Sequence, residues 1–469
     1  MSVDAGPPAG PTSGLTAGLI GKLAAKLRAA FDSRLAQDSL TVFTLTGLGR
    51  AVALGKEVLV AALFGVSGQL DAYVLALLVP SFLANLLGGS FSAVLIPALG
   101  KAAAGTQGAQ HARQLLGRAL AAQALLMGAA LLALAALPAP ALQALAPGAT
   151  PERLDLIKTM QLALLPMCAC SSLIHVLGAS LNYQGDFKSP PLLAILGALA
   201  TILAIALLHQ ALGVQALVAG VNIGAGLECA LLAWLARRSW GPVFRGLRWG
   251  ALWSETSALV RNWAMLALGA SLLGLSPFID NAIASTLGEG SVSALSYAWK
   301  LPSGLAGLLG LTLSTVLLPY FTGIVHGAEA RELPALCRRM VKRLALLSAP
   351  LAVAGIAASP YLVSLLFQRG RFDAQAAELV SVIQACYFAQ LPFYLLAIAA
   401  ARMLQALSRL RFLLFLQAGL LAVNALTSLA LSRVLGPAGI AVSSTIMYAL
   451  CAAISLYAVL RHGRTQETA

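Results

Sequence analysis

The sequence predicts an all-α polytopic membrane protein of about twelve transmembrane helices, arranged as two six-helix lobes. Three observations lead there. Hydrophobic residues make up 59% of the 469 positions and charged residues only 10%, whereas a soluble domain carries about 25% charged residues. There is too little charge here to cover a soluble surface. Apolar stretches of about 20 residues, enough to cross roughly 30 Å of hydrocarbon, recur along the whole chain. The two halves also echo one another. Pro80 and Pro97 in VPSFLANLLGGSFSAVLIPAL return 222 positions later (80 to 302, 97 to 319) as Pro302 and Pro319 in LPSGLAGLLGLTLSTVLLPYF. Leu212-Gly213 returns as Leu435-Gly436 at an offset of 223, and Pro166 answers Pro392. A repeat of this kind in an apolar chain is the pattern of a duplicated transporter bundle.

Residues 1–36 form a leader expected in the cytoplasm. Its first 14 residues are rich in Gly and Pro and read as disordered. Leu19, Leu23, Leu27, Phe31 and Leu35 then recur every fourth position among Lys22, Lys26, Arg28 and Arg34, the pattern of a basic amphipathic helix on the inner leaflet. The first lobe, 37–240, holds apolar spans near 39–63, 71–98, 114–137, 156–181, 189–208 and 214–236. A basic, Trp-bearing connector, 241–257, leads to the second lobe, 258–462. Its spans lie near 258–285, 293–323, 338–358, 376–404, 411–431 and 438–460, and 463–469 is a tail. Six spans per lobe is an even number, so both lobes enter the membrane in the same sense and are related by an axis along its normal.

Basic residues test this topology. With the N-terminus inside, 21 Lys and Arg fall in cytoplasmic stretches against five (Arg153, Lys158, Arg369, Arg371 and Arg433) on the opposite side. That bias obeys the positive-inside rule and places both termini in the cytoplasm. The net charge of +14 is therefore read as topology and attraction to anionic lipid. Nucleic-acid binding is excluded because the charges are scattered over loops rather than gathered on one face. Six cysteines show neither CxxC nor metal-ligand spacing, so no metal site is expected.

Charges inside spans are costly, about 2.5–3.5 kcal/mol each on insertion scales, and mark function. The first span carries Arg50, Lys56 and Glu57; Asp71 opens the second, Asp280 ends the seventh, and Lys300 lies early in the eighth. Glu228 sits late in the sixth and reads as locally paired. A structural alternative pairs Lys56 with Glu57 or Asp71, and Lys300 with Asp280. Arg50, Lys56 and Lys300 occupy corresponding early spans, so all three are expected to face one cavity and bind an anion, phosphate above all. Pro80 and Pro302 are expected as hinges, because each removes a backbone hydrogen bond at the same place in its lobe. No catalytic constellation is present; His175, the only histidine that would anchor a membrane transferase, has no suitable partner at a suggestive spacing.

Five stretches stand out: RAVALGKEVLVAALFGVSGQLDAYVLALLVP (50–80), FSAVLIPAL (91–99), IDNAIASTLGEGSVSALSYAWKLPSG (279–304), TVLLPYF (315–321) and VSLLFQRGRFDA (363–374). Together they resemble the MurJ/MviN family of lipid II flippases, in the multidrug/oligosaccharidyl-lipid/polysaccharide exporter superfamily. The resemblance implies a flippase that carries an undecaprenyl-pyrophosphate-linked saccharide to the outer leaflet of a bacterial inner membrane. It implies Arg50, Lys56, Lys300 and Asp71 as substrate-binding residues, no cofactor, and resetting by membrane potential or a coupling ion, with Asp71 or Asp280 as the ion-linked carboxylate. Where the family carries an arginine pair in its second span, this chain has Ala84-Asn85, and Trp299 replaces an acidic residue before the eighth-span cation. The apolar pattern ends after twelve spans, where the family adds two. These departures keep a lipid-linked exopolysaccharide unit open as a second substrate, with a drug or cation exporter behind it. A monomer is expected.

Overall fold

A computed structural model describes residues 34–104, 108–243, 257, 259–267, 271, 274–325 and 333–467. The amphipathic helix expected before residue 34 and most of the connector lie outside the described residues. All regular structure among the described residues is helical. In the first lobe these helices are α1 (Arg34–Phe64), α2 (Gly68–Ala103), α3 (Gly108–Ala135), α4 (Ala139–Leu145), α5 (Pro151–Ala163), α6 (Leu165–Tyr183), α7 (Ser189–Leu212) and α8 (Gln215–Trp240). In the second they are α9 (Ser276–Ser285), α10 (Ser291–Val325), α11 (Leu333–Phe367), α12 (Ala374–Ala389), α13 (Leu391–Ala406), α14 (Leu410–Leu435) and α15 (Pro437–Glu467). Helix α15 runs through most of the segment expected as a tail.

Nine segments among the described residues are long and apolar enough to cross a membrane. The expected spans on α1, on α10 and across 258–285 are not among them. Helix α1 carries Arg50, Lys56 and Glu57 within eight residues, and those charges dilute its apolar character. Large apolar side chains point outward along the helices, among them Leu132, Leu207, Leu346, Leu347 and Phe415, each more than 70% exposed. A water-facing surface of that kind would aggregate; hydrocarbon is its natural solvent.

The repeat seen in the sequence is also a repeat of local chemistry. Spans four and ten are each split into two helices, α5–α6 and α12–α13. Pro166 and Pro392 begin the second piece, where a missing N–H costs nothing. The first pieces are capped by Thr150 and Asp373, 223 positions apart, whose side chains accept from the N–H of Arg153 and Ala376. Breaking a helix in hydrocarbon frees backbone groups that need new partners. Asn222 of α8 supplies them in the first lobe, accepting from Met167 N and donating to Ala163 O, both at 2.8 Å. Thr445 of α15, again 223 positions on, donates to Cys386 O at 3.3 Å. The turns before α8 and α15 match as well, with Gly213 at φ 55°, ψ −133° and Gly436 at φ 58°, ψ −143°. That backbone region is essentially closed to residues with a Cβ.

Contacts between the lobes gather at one end, where α1 and α11 finish and α2 and α10 begin. There Arg371 N donates to Ala62 O at 2.9 Å, Gly148 N donates to Ser285 Oγ at 3.3 Å, and Arg153 pairs with Glu289. A single apolar cluster joins Val60, Phe64 and Tyr73 of the first lobe to Val292, Tyr297, Phe367 and Phe372 of the second. Tyr297 meets the rings of Phe367 and Phe372 at 5.4 and 5.5 Å. That end is sealed. Farther along, Phe82 of α2 meets Phe278 of α9 edge-on at 5.2 Å. Residues 259–267 pack Leu259 and Trp263 against the first lobe, although the sequence assigned that stretch to the second.

Candidate functional site

Two linked chambers lie beneath the sealed end. The smaller, about 90 Å³, is walled by Lys56, Glu57 and Val60 of α1, Tyr73 of α2, Leu217 of α8, and Tyr297 and Lys300 of α10. Glu57 lies seven residues from the end of α1 and Lys300 nine from the start of α10, or ~10 and ~14 Å at 1.5 Å per residue. The two helices therefore bring these side chains to similar depth from opposite lobes. Lys56 Nζ stands 2.9 Å and Lys300 Nζ 3.1 Å from the same atom, Glu57 Oε1. Two ammonium groups share one carboxylate, leaving the cluster with a net positive charge. Lys56 pairs with Glu57 as the structural alternative had it, but Lys300 takes Glu57 rather than Asp280.

Arg50 does not join this cluster. Seven residues before Glu57, it lies ~10 Å farther from the sealed end. It is exposed, its guanidinium reaching toward Gly307 of α10. Among the described residues it has no carboxylate within ion-pair distance. Asp71 lines neither chamber. It is buried, and its two oxygens accept from Gly290 N at 2.6 Å and Ser293 N at 2.7 Å, the free N–H groups at the start of α10. A carboxylate at a helix N-terminus also meets the positive end of the helix dipole. The local sequence arranges this contact: Gly65, at φ 60°, ends α1, and Ser67 caps α2 by accepting from Leu70 N. Asp71 thus begins its helix facing the beginning of α10, and it fastens lobe to lobe.

The larger chamber, about 340 Å³, opens between α2 and the second lobe. Trp299 of α10, Tyr387 of α12 and Tyr448 of α15 supply its rings; Ser81, Ser296 and Gln390 supply polar groups. Val74, Leu77 and Ser296 line both chambers, so the two are contiguous. Asp280 forms part of the wall and is 9% exposed. It accepts from Asn424 Nδ2 at 2.9 Å, Ser276 Oγ at 3.2 Å and Ser428 Oγ at 3.5 Å.

Pro80 and Pro302 are both buried within long helices. Pro80 O accepts the Cys168 thiol at 3.2 Å, and a π-helical turn, Asn85–Gly89, follows within two turns. Extra residues in a turn are a common source of local bending. Sequence reasoning missed Tyr297, Gln390, Asn424 and Ser428. Asn424 and Ser428 carried a signal, two polar residues four apart on one face of an otherwise apolar helix. Tyr297 and Gln390 carried none that separates a chamber wall from a packed core.

Two lobes with parallel pseudo-symmetry, a sealed end and polar chambers between them define a multi-pass membrane carrier. The profile described as "Lipid II flippase MurJ" matches residues 60–469. The chain therefore belongs to the MurJ family, a family of transporters and not of enzymes. Lys300, Asp71 and Asp280 lie within the match, while Arg50, Lys56 and Glu57 precede it. The chain is 28% identical over 359 residues to the lipid II flippase MurJ of Burkholderia cenocepacia, covering 74% of this chain and 69% of that protein. It is 28% identical over 357 residues to the probable lipid II flippase MurJ of Rhizobium meliloti, covering 73% and 65%. Among solved structures it resembles a lipid II flippase MurJ in an inward closed conformation, with TM-score 0.73, 20% identity, and 90% and 87% coverage. It also resembles an inward-facing multidrug resistance MATE family transporter, with TM-score 0.73, 14% identity, and 92% and 99% coverage. At such identities the structural likenesses speak for the fold.

Proposed function

We propose that this chain flips a polyprenyl-diphosphate-linked saccharide, lipid II or a similar peptidoglycan precursor, from the cytoplasmic to the outer leaflet by alternating access. The observation that carries this reading is the meeting of Lys56 and Lys300, from opposite lobes, on one carboxylate oxygen. A phosphate oxygen offers the same acceptor with more charge, so a diphosphate headgroup competes with Glu57 for both ammonium groups. Because each lysine belongs to a different lobe, engaging the ligand alters the contact that spans them, which is how binding biases a two-state carrier. Arg50, nearer the open end, is the first cation the headgroup meets. The polyprenyl tail stays in lipid. Pro80 and Pro302 serve as hinges, and Asp280 is the ion-linked carboxylate through which a gradient or the membrane potential resets the cycle. The sealed end faces outward, both termini face the cytoplasm, and the protein acts as a monomer in the inner membrane.

The test is lipid II translocation in proteoliposomes. Losing one charge-assisted bond to a phosphate costs about 1.5–3 kcal/mol, so Lys56→Ala and Lys300→Ala should each slow translocation at least tenfold. Full activity in Lys56→Ala, Lys300→Ala and Arg50→Ala alike would remove the mechanism. A second reading, a lipid-linked repeat unit of an exported polysaccharide, draws on Ala84-Asn85. The Asn85 amide is spent on Ser81 O at 2.9 Å and offers no positive charge there. Rescue of cells depleted of their own lipid II flippase separates the two.

A further inference from the structure

We infer that the larger chamber is a saccharide site, which seats a neutral sugar while the attached diphosphate lies in the lysine chamber. This rests on the anionic reading of the lysine chamber given above and adds which part of the ligand each compartment takes.

The lining has the chemistry of sugar recognition. Trp299 and Tyr387 present rings 4.9 Å apart at 57°, and Tyr448 is held edge-on against Tyr394 at 5.1 Å. Aromatic faces are electron-rich and accept the C–H face of a sugar ring, while hydroxyls at the ring edge need acceptors and donors. Those groups are present and uncommitted. Gln390 is 2% exposed, and its Oε1 has no hydrogen-bond partner among the described residues. A buried acceptor without a donor is destabilising, and a ligand hydroxyl relieves it. The hydroxyls of Ser81 and Ser296 likewise make no hydrogen bond among the described residues.

Charge points the same way. No lysine or arginine lines this chamber, so it offers nothing to a second anion. Its one carboxylate, Asp280, already accepts from Asn424, Ser276 and Ser428, which leaves it poorly placed to balance an organic cation. A neutral polyol is what remains. The volume, about 340 Å³, falls at the lower end of the roughly 300–1,000 Å³ of small-molecule sites. Continuity completes the argument: Trp299 and Lys300 are neighbours in sequence, and Val74, Leu77 and Ser296 wall both compartments. One ligand with a sugar on its diphosphate spans them.

The experiment measures equilibrium binding to the full-length protein in lipid nanodiscs with two probes, a polyprenyl diphosphate and the same lipid carrying one hexose on the diphosphate. Trp299→Ala and Gln390→Leu should each weaken the hexose-bearing lipid about tenfold and leave the sugar-free lipid within about twofold. Equal weakening of both probes, or no change in either, overturns the assignment. Should Trp299→Ala lower the melting temperature, Ser81→Ala, which removes one hydroxyl from the larger chamber alone, carries the same comparison. Lys56→Ala tests the underlying anionic reading separately, since it should weaken both probes alike. If it weakens neither, that reading fails whatever the chamber variants do. A tetraalkylammonium ion that displaces the hexose-bearing lipid from the wild type, but not from Asp280→Asn, would mark the chamber as a cation site and overturn the proposal.

Discussion

Replacing Asp71 by asparagine removes one charge and half of a two-pronged contact between the lobes. The carboxylate accepts from Gly290 N and Ser293 N at 2.6 and 2.7 Å, the length of charge-assisted bonds. Such a bond is worth about 1.5–3 kcal/mol net, and a neutral one about 1 kcal/mol. Asparagine keeps one acceptor oxygen and turns an NH₂ group toward the other N–H, so the contact loses about 2–5 kcal/mol. At 1.4 kcal/mol per tenfold, opening of the sealed end becomes about 30- to 4,000-fold more frequent. The assay is amide hydrogen–deuterium exchange, which reports the free energy of local opening. Exchange over residues 288–297 should accelerate by that factor, with protection along α14 unchanged. A rate over 288–297 within twofold of the wild type would refute the view that Asp71 fastens the lobes.

Other perturbations separate strong contacts from weak ones. Arg153→Ala breaks the ion pair with Glu289 at the same end, yet the Glu289 side chain is 72% exposed, and exposed pairs contribute at most about 1 kcal/mol. Its effect on exchange over 288–297 should stay below about fivefold, and a larger effect would make that pair the principal latch. Asp280→Asn should abolish the dependence of transport on an imposed ion gradient while leaving lipid binding within about threefold; transport that still follows the gradient would remove Asp280 from coupling. Gly436→Ala places a Cβ at φ 58°, ψ −143°, a conformation that costs about 1–3 kcal/mol outside glycine. The melting temperature should fall by several degrees, as it should for Gly213→Ala, and an unchanged value would show that the turn relaxes.

Much of the fold was legible because membrane helices announce themselves by apolar length and because a duplicated chain repeats its punctuation. The offset of 222–223 found Pro80 with Pro302 and Gly213 with Gly436, and Thr150 with Asp373 and Asn222 with Thr445 obey it too. Window averages blur the helix breaks at Leu164 and Gln390, since a proline in the first turn disturbs no hydrogen bond and leaves the apolar run unbroken. The site was half legible. Intramembrane charge marked Lys56 and Lys300, and adjacency marked Glu57 as a partner of Lys56. Which carboxylate Lys300 meets depends on the relative depth of α1 and α10, a quantity set by packing between lobes and absent from either helix's periodicity. For the same reason the sequence did not separate Arg50 from Lys56: the two are on one helix, nearly two turns apart, and only Lys56 reaches Glu57.

Asp71 and Ser293 are 222 positions apart, the same interval that separates Pro80 from Pro302. Each is therefore the other's counterpart, and their bond lies where the pseudo-twofold axis crosses the bundle. At such an axis a dimer of identical halves would oppose aspartate to aspartate, or serine to serine. Like carboxylates brought together in a dry setting repel, and two serines bring no charge. In this single polypeptide the two positions differ, so that one carries the acid and the other offers bare amides. The attraction that fastens the sealed end thus exists only because the symmetry is imperfect.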